Sequence, residues 1–192
     1  MEAKNTGAVM ATIFFIVMCA IIGSCFMAFV YEDKKVSVND PKIVSFEGLQ
    51  VINSKDENIT SVKLSSSKLG LKPATGKEDS ETEIPSTVTA QNGSEGLYGK
   101  FKVKSNSNWK LYVTNVTIDS KVDSTSEREH IQVGLLDVKN SVVTLEQDKT
   151  MIASGEASDE FKEFTLLVWL HASAGNSLIG ANISFDLVFE IA

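Results

Sequence analysis

His130 and His171 are the only two imidazoles in the 192 residues. Neutral imidazole holds transition metals and moves protons near physiological pH, so these are the first residues to ask about chemistry. His130 sits in EREHIQ (127–132), which lacks the paired-histidine helical spacing of a zinc hydrolase. His171 ends an apolar stretch forty-one residues later, so the two would share an ion only if the fold joined them. Both are read here as surface or strand-end histidines.

Other residue types give no catalytic constellation. No serine lies in Gly-x-Ser-x-Gly, and no glycine loop could cradle a phosphate. The acid pairs Asp56-Glu57 and Glu78-Asp79 lack the ligand spacing of a calcium loop and read as solvated charge. Cys19 and Cys25 both fall in an apolar run, so the rest of the chain has neither a disulfide framework nor a cysteine metal site. Asn-x-Ser/Thr triplets occur at Asn58, Asn92, Asn115 and Asn182, two of them inside expected strands. The sequence therefore predicts no catalytic residues, no cofactor, no metal and no enzyme activity.

The apolar run is Gly7 to Tyr31, twenty-five residues with no side chain charged at neutral pH. As a helix it would extend roughly 37 Å, enough to cross a hydrocarbon core of about 30 Å. Its apolar residues occupy every side, whereas a surface helix of a small domain keeps a polar stripe. Gly7, Phe14, Phe15, Ile21 and Tyr31 mark the expected membrane segment, with membrane lipid as its partner. The run is long for a cleavable signal and favours a retained anchor. Ala28 and Phe29 would form the junction if it were cut. A domain-sized segment after a first apolar run is most simply exported, which predicts an extracellular carboxyl-terminal domain or a product released to the surface or matrix.

Residues 1–31 leave 161 of the 192, enough for one domain. Glu2 and Lys4 cancel, so the formal charge of −7 belongs to that domain. An acidic surface argues against nucleic acid as a partner, because binding phosphates needs a basic face.

Hydrophobic periodicity then sets the elements. Residues 1–6 precede the apolar run, and Glu32 to Pro41 reads as a polar stalk, with the ectodomain taken as 43–192. Ile43 to Ile52 reads as a first strand with Gly48 as a bulge or kink, and Ser61 to Leu64 and Leu69 to Leu71 as short strands. Residues 72–96 carry two prolines, three glycines and several acids, a long polar loop. From Leu97 the period is two: Phe101 and Val103 point one way, Lys100, Lys102 and Lys104 the other. SNSN (105–108) reads as a turn. From Trp109 to Ile118 the apolar set changes phase after Val113, which predicts a bulge or a strand buried on both faces. Ile131 to Val138 and Ser141 to Leu145 read as strands about a turn at Lys139-Asn140. Gly155 to Lys162 reads as one helical turn with Ser158 as its N-cap.

Two strands close the chain. In Glu163 to His171, Phe164, Leu166, Val168 and Leu170 form one apolar face, and Leu167 and Trp169 the other, which predicts a central strand. In Ala181 to Ile191, Ile183, Phe185, Leu187, Phe189 and Ile191 alternate with polar residues. Trp109, Phe164, Trp169, Phe185, Leu187 and Phe189 are the expected core. Many strands with little helical pattern predict a mainly β fold, an antiparallel sandwich of the jelly-roll or immunoglobulin kind behind one N-terminal membrane helix.

Three blocks together resemble the camelysin/TasA family of exported Gram-positive surface and biofilm-matrix proteins. They are the junction Ala28-Phe29-Val30-Tyr31-Glu32-Asp33, the strand–turn–strand LYGKFKVKSNSNWKLYVTNVTI (97–118), and the closing stretch Leu166 to Phe189 with Trp169-Leu170 and GNSLIGANISFDLVF (175–189). The resemblance implies a jelly-roll-like sandwich, export, and a structural role in fibres where a strand of one subunit completes the sheet of the next. The protease activity reported for that family has no matching motif in this chain. Val36 to Ile52 is the segment expected to add to a sheet edge of another copy or a related subunit. Two rival readings stand beside this one. One is a tethered module that binds glycan or protein through loop 72–96 or through aromatics near Tyr98 and Trp109, and the other is a pilin-like subunit with a helical core over 8–31.

Overall fold

The structure, a computed structural model, describes residues 14–18, 35–70, 84–88, 95–119, 128–136, 138, 141–145, 148–171, 173–174 and 178–192. The chain divides into two units, Met1–Lys34 and Lys35–Ala192. In the first, residues 14–18 are helical, and Phe14 and Phe15 are both exposed. Among the described residues no helix is long and apolar enough to cross a membrane. Gly7, Ile21, Ala28, Phe29 and Tyr31 lie outside the described residues.

The second unit is built from strands β1 (Lys35–Val38), β2 (Lys42–Val44), β3 (Leu49–Ile52), β4 (Lys68–Gly70), β5 (Gly96–Ser105), β6 (Trp109–Asp119), β7 (Ile131–Leu135), β8 (Val143–Thr144), β9 (Lys149–Gly155), β10 (Ser158–Leu170) and β11 (Asn182–Ile191). They form two sheets. The first has the order β4-β1-β11-β6-β9, with β2 also paired to β11; the second has the order β3-β5-β10-β7-β8. Buried side chains of both sheets share one core, among them Val36, Phe185 and Leu187 from the first and Phe101, Leu166 and Val168 from the second, so the unit is a β-sandwich. It is not purely antiparallel. Strands β1 and β2 both run parallel to β11, which makes the first sheet mixed.

Strand β11 forms because its period-two pattern puts Ile183, Phe185, Leu187 and Phe189 on one face, and all four are buried. The set stops there, since Ile191 at the strand end is 64% exposed. Its neighbour β6 keeps its apolar residues inward through a bulge. The pairing slips between Ser184 and Asp186, opposite Asn115, which has φ 51°. This extra residue accounts for the phase change, because Trp109, Leu111 and Val113 are buried before it and Val116 and Ile118 after it. Asparagine tolerates the left-handed region better than most residues, and its Nδ2 donates to Asp186 Oδ2 at 2.8 Å.

Strand β10 lies between β5 and β7, and its second half, Phe164 to Leu170, is buried on both faces. Phe164, Leu166, Val168 and Leu170 point into the sandwich. Leu167 and Trp169 point outward, where Val88 of the short 3₁₀ turn Ser86–Val88 packs on them. That cover needs Gly96, because a Cβ there would lie 2.6 Å from Val88 Cγ1. Inside, Trp109 meets Phe164 and Phe189 edge-on at 5.7 and 5.5 Å, and Phe101 stacks on Phe164 at 5.6 Å, an aromatic cluster that joins the sheets.

Several local expectations are corrected. Ile43 to Ile52 is not one strand, because a turn at Glu47-Gly48, with Gly48 at φ 91°, passes the chain from β2 in one sheet to β3 in the other. The expected stalk contains β1, whose Val36 and Val38 are 0% and 1% exposed. Ser61 to Leu64 is not a strand, and Ser61 makes only an isolated bridge to Lys42. Gly155 to Lys162 is not helical. Ser158 Oγ does accept the Glu160 N–H at 3.0 Å, the local bond of an N-cap, but the chain continues as β10 with a register shift between Ser158 and Lys162. Strand β9 has no counterpart among the expected strands. Of loop 72–96, residues 72–83 and 89–94 lie outside the described residues, as does the turn at Lys139-Asn140.

Candidate functional site

The segment expected to add to a sheet is seated in its own sandwich. Strands β1 and β2 lie end to end along one edge of β11, with Val38 beside Ile183 and Val44 beside Val188, while β6 covers the opposite edge. Main-chain bonds hold this ribbon: Ser37 N–H donates to Ala181 O at 2.8 Å, Asn39 N–H to Ile183 O at 2.9 Å, and Ile43 N–H to Thr60 O at 2.8 Å. The break between β1 and β2 falls at Asn39-Asp40-Pro41. Pro41 has no N–H for a ladder, and Asp40 Oδ1 instead accepts the Leu64 N–H at 3.0 Å. Val36 and Val38 fill the core, Ile43 packs partly against it, and Val44 is 48% exposed on the outer face. The remainder of the segment, β3, pairs antiparallel with β5 in the other sheet.

The histidines do meet. Leu170 pairs with Ile131 at the ends of β10 and β7, and one step further His171 N–H donates to His130 O at 2.9 Å. Residues directly opposite on antiparallel strands lie about 5 Å apart and share a face. Ser173 completes the group. Its Oγ is 3.1 Å from His130 Nδ1 and 2.7 Å from His171 Nδ1, and its N–H donates to His171 Nδ1 at 3.2 Å. A ring nitrogen that accepts an amide proton carries none, so His171 bears no proton on Nδ1, and Ser173 Oγ lies between the two rings. Glu129 Oε1 stands 3.6 Å from His130 Nε2, and the His130 side chain is 18% exposed. Nothing in the spacing of His130 and His171 along the chain signals this meeting, because strand register creates it.

Other charged side chains pair locally. Lys102 Nζ donates to Asp56 Oδ1 at 2.9 Å, and that bond holds the ammonium above its ordinary value against the opposing effect of burial. Asp56 and Glu57 diverge, since Glu57 Oε2 accepts from Asn53 Nδ2 at 2.8 Å. Glu78-Asp79 lies outside the described residues. On the outer face of the first sheet, Lys149 Nζ donates to Glu190 Oε1 at 2.7 Å and sits 4.3 Å from the Tyr112 ring centroid. Trp109, Phe164, Trp169, Phe185, Leu187 and Phe189 are all buried, and Trp109, 3% exposed, only edges the shallow grooves beside Gly155 and Lys162. Tyr98 is half-buried and lines a shallow groove with Ile59, Leu64 and Lys100. Of the sequons, Asn58 and Asn182 are exposed, Asn115 has its amide bonded to Asp186, and Asn92 lies outside the described residues. Among the described residues no three His, Cys, Asp or Glu side chains converge as a metal site.

Fold and geometry define the class as a two-sheet β-sandwich whose first strands form an interrupted ribbon parallel to its last. No family model matches the chain. No curated protein matches it either.

Proposed function

We propose that this chain is a non-enzymatic structural protein of the cell surface or extracellular matrix, similar to the camelysin/TasA family, with a jelly-roll-like sandwich. Residues 7–31 would hold it in the membrane, or release it after cutting between Ala28 and Phe29. Subunits would join by strand addition, with the β1–β2 ribbon of one copy taking the edge of β11 in the next.

One observation carries this reading. The ribbon runs parallel to β11 and is separated from it by nearly the whole domain sequence, so no hairpin ties it to its seat. A ribbon of the same sequence from another copy would make the same main-chain bonds. Further support comes from the connections, since β5–β6, β9–β10 and β10–β11 each pass from one sheet to the other, the habit of double-sheet folds. The test is deletion of residues 32–52. The truncated protein is expected to form no fibres by electron microscopy and to bind a synthetic peptide of residues 35–52. Fibres of unchanged length from the truncated protein would refute strand addition through this segment.

A further inference from the structure

We infer that the groove where the loop 53–65 crosses β5 binds an acidic polysaccharide. The chain carries a formal charge of −7, yet this groove of about 500 Å³ is lined by Lys55, Lys63 and Lys100 and, among the described residues, by no acid. Its volume is that of a ligand-binding cleft. The acids nearby are engaged elsewhere, since Asp56 accepts from Lys102 and Glu57 from Asn53. Among the described residues Lys55 and Lys63 have no salt-bridge partner, and both are exposed. Lys100 has only Glu163 at 3.8 Å, with both side chains more than half exposed, a pair that holds its members weakly.

The backbone that carries these lysines is pinned. Asn53 Oδ1 accepts the Lys55 and Glu57 N–H groups at 2.8 and 3.1 Å, a closed turn that presents Lys55. Ser65 N–H donates to Tyr98 O at 2.7 Å and Leu64 N–H to Asp40 Oδ1 at 3.0 Å, which ties the stretch bearing Lys63 to β5. Ordering on binding is thereby confined to side chains. Between the charges the lining offers hydroxyls from Ser54, Ser61 and Ser65 and apolar surface from Ile59, Leu64 and Tyr98. A uronic-acid polymer has the matching pattern, with carboxylates spaced along rings that alternate hydroxyl edges and C–H faces, and a C–H face packs on an aromatic ring. A nucleic acid fits less well, because its denser charge needs more cations than this groove holds and meets an otherwise acidic protein. An acidic peptide shares the carboxylates but lacks the sugar hydroxyls and flat C–H faces.

Isothermal titration of the full chain in non-ionic detergent micelles with oligogalacturonate tests this directly, with its methyl ester as the uncharged counterpart and polyglutamate as the peptide one. The variants are Lys55→Gln, Lys63→Gln, the triple change that adds Lys100→Gln, and Lys110→Gln on the other sheet, with circular dichroism confirming their fold. The expected result is saturable binding of oligogalacturonate that weakens as salt rises, and none of the methyl ester. Affinity should fall about two- to fivefold in each single groove variant and at least about tenfold in the triple variant, with no change in Lys110→Gln. No binding of oligogalacturonate at millimolar concentration, equal binding of its methyl ester, tighter binding of polyglutamate, or an unchanged affinity in the triple variant would overturn the assignment. Each of these results would leave strand addition untouched, since the ribbon contains none of the three lysines.

Discussion

Strand β11 and the β1–β2 ribbon lie side by side in one sheet and run in the same direction, yet they are held in different ways. β11 is a continuous ten-residue strand with β6 along its whole length on one side, and it places four large side chains in the core. The ribbon is broken at Asn39-Asp40-Pro41, contributes two fully buried valines, and leaves Val44 half in water. Burial of apolar area separates the two: each fully buried side chain is worth about 1.5–3 kcal/mol, and β11 has both more of them and larger ones. The last strand is a platform. The proposal of strand addition treats the first two as a guest on it, with β4 pairing along the other side of β1.

The comparison breaks or sharpens under substitution. Phe185→Ala should have the largest effect, about 3–5 kcal/mol in urea unfolding, because a large side chain is lost from a packed interior. Val36→Ala should cost about 2 kcal/mol, from two methyl groups and a small cavity. Equal losses at these two positions would make the ribbon as integral as β11 and break the contrast. Asn115→Val should cost about 1–2 kcal/mol, since a β-branched residue is strained at the bulge, while Asn115→Gly should stay close to the parent in the same assay. Val44→Thr, on the outer face, should change stability by no more than about 0.5 kcal/mol.

The parts legible from residue order were those with a clean period of two. In β5, β10 and β11 the alternation, or its replacement by apolar residues on both faces, follows directly from burial. The bulge in β6 was visible as a phase change because one extra residue moves every later side chain to the other face. The ribbon was hidden for a physical reason: Lys34, Lys35, Asn39 and Asp40 surround only two valines, and the signal of a short strand drowns in flanking charge. Strand β9 was hidden by its own irregularity, a register shift between Leu111 and Tyr112 of its partner that spoils alternation over Lys149–Gly155. Ser158 misled because the same amide-to-hydroxyl bond, N–H donating to Oγ, opens helices and decorates strand ends. The meeting of His130 and His171 lay beyond reach, since it depends on the register of two strands far apart in the chain.

The most direct test of the central claim uses the register of the ribbon on its platform. Val44 and Val188 are partners across β2 and β11, so cysteines placed there report whose ribbon occupies whose edge. In a background where Cys19 and Cys25 are serine, a chain with Val44→Cys alone is mixed with a chain with Val188→Cys alone, allowed to assemble, and oxidised. Strand addition predicts a disulfide between the two chains that appears only under assembling conditions. Assembled fibres without that cross-link, in which a chain carrying both substitutions closes only an internal disulfide, would contradict it.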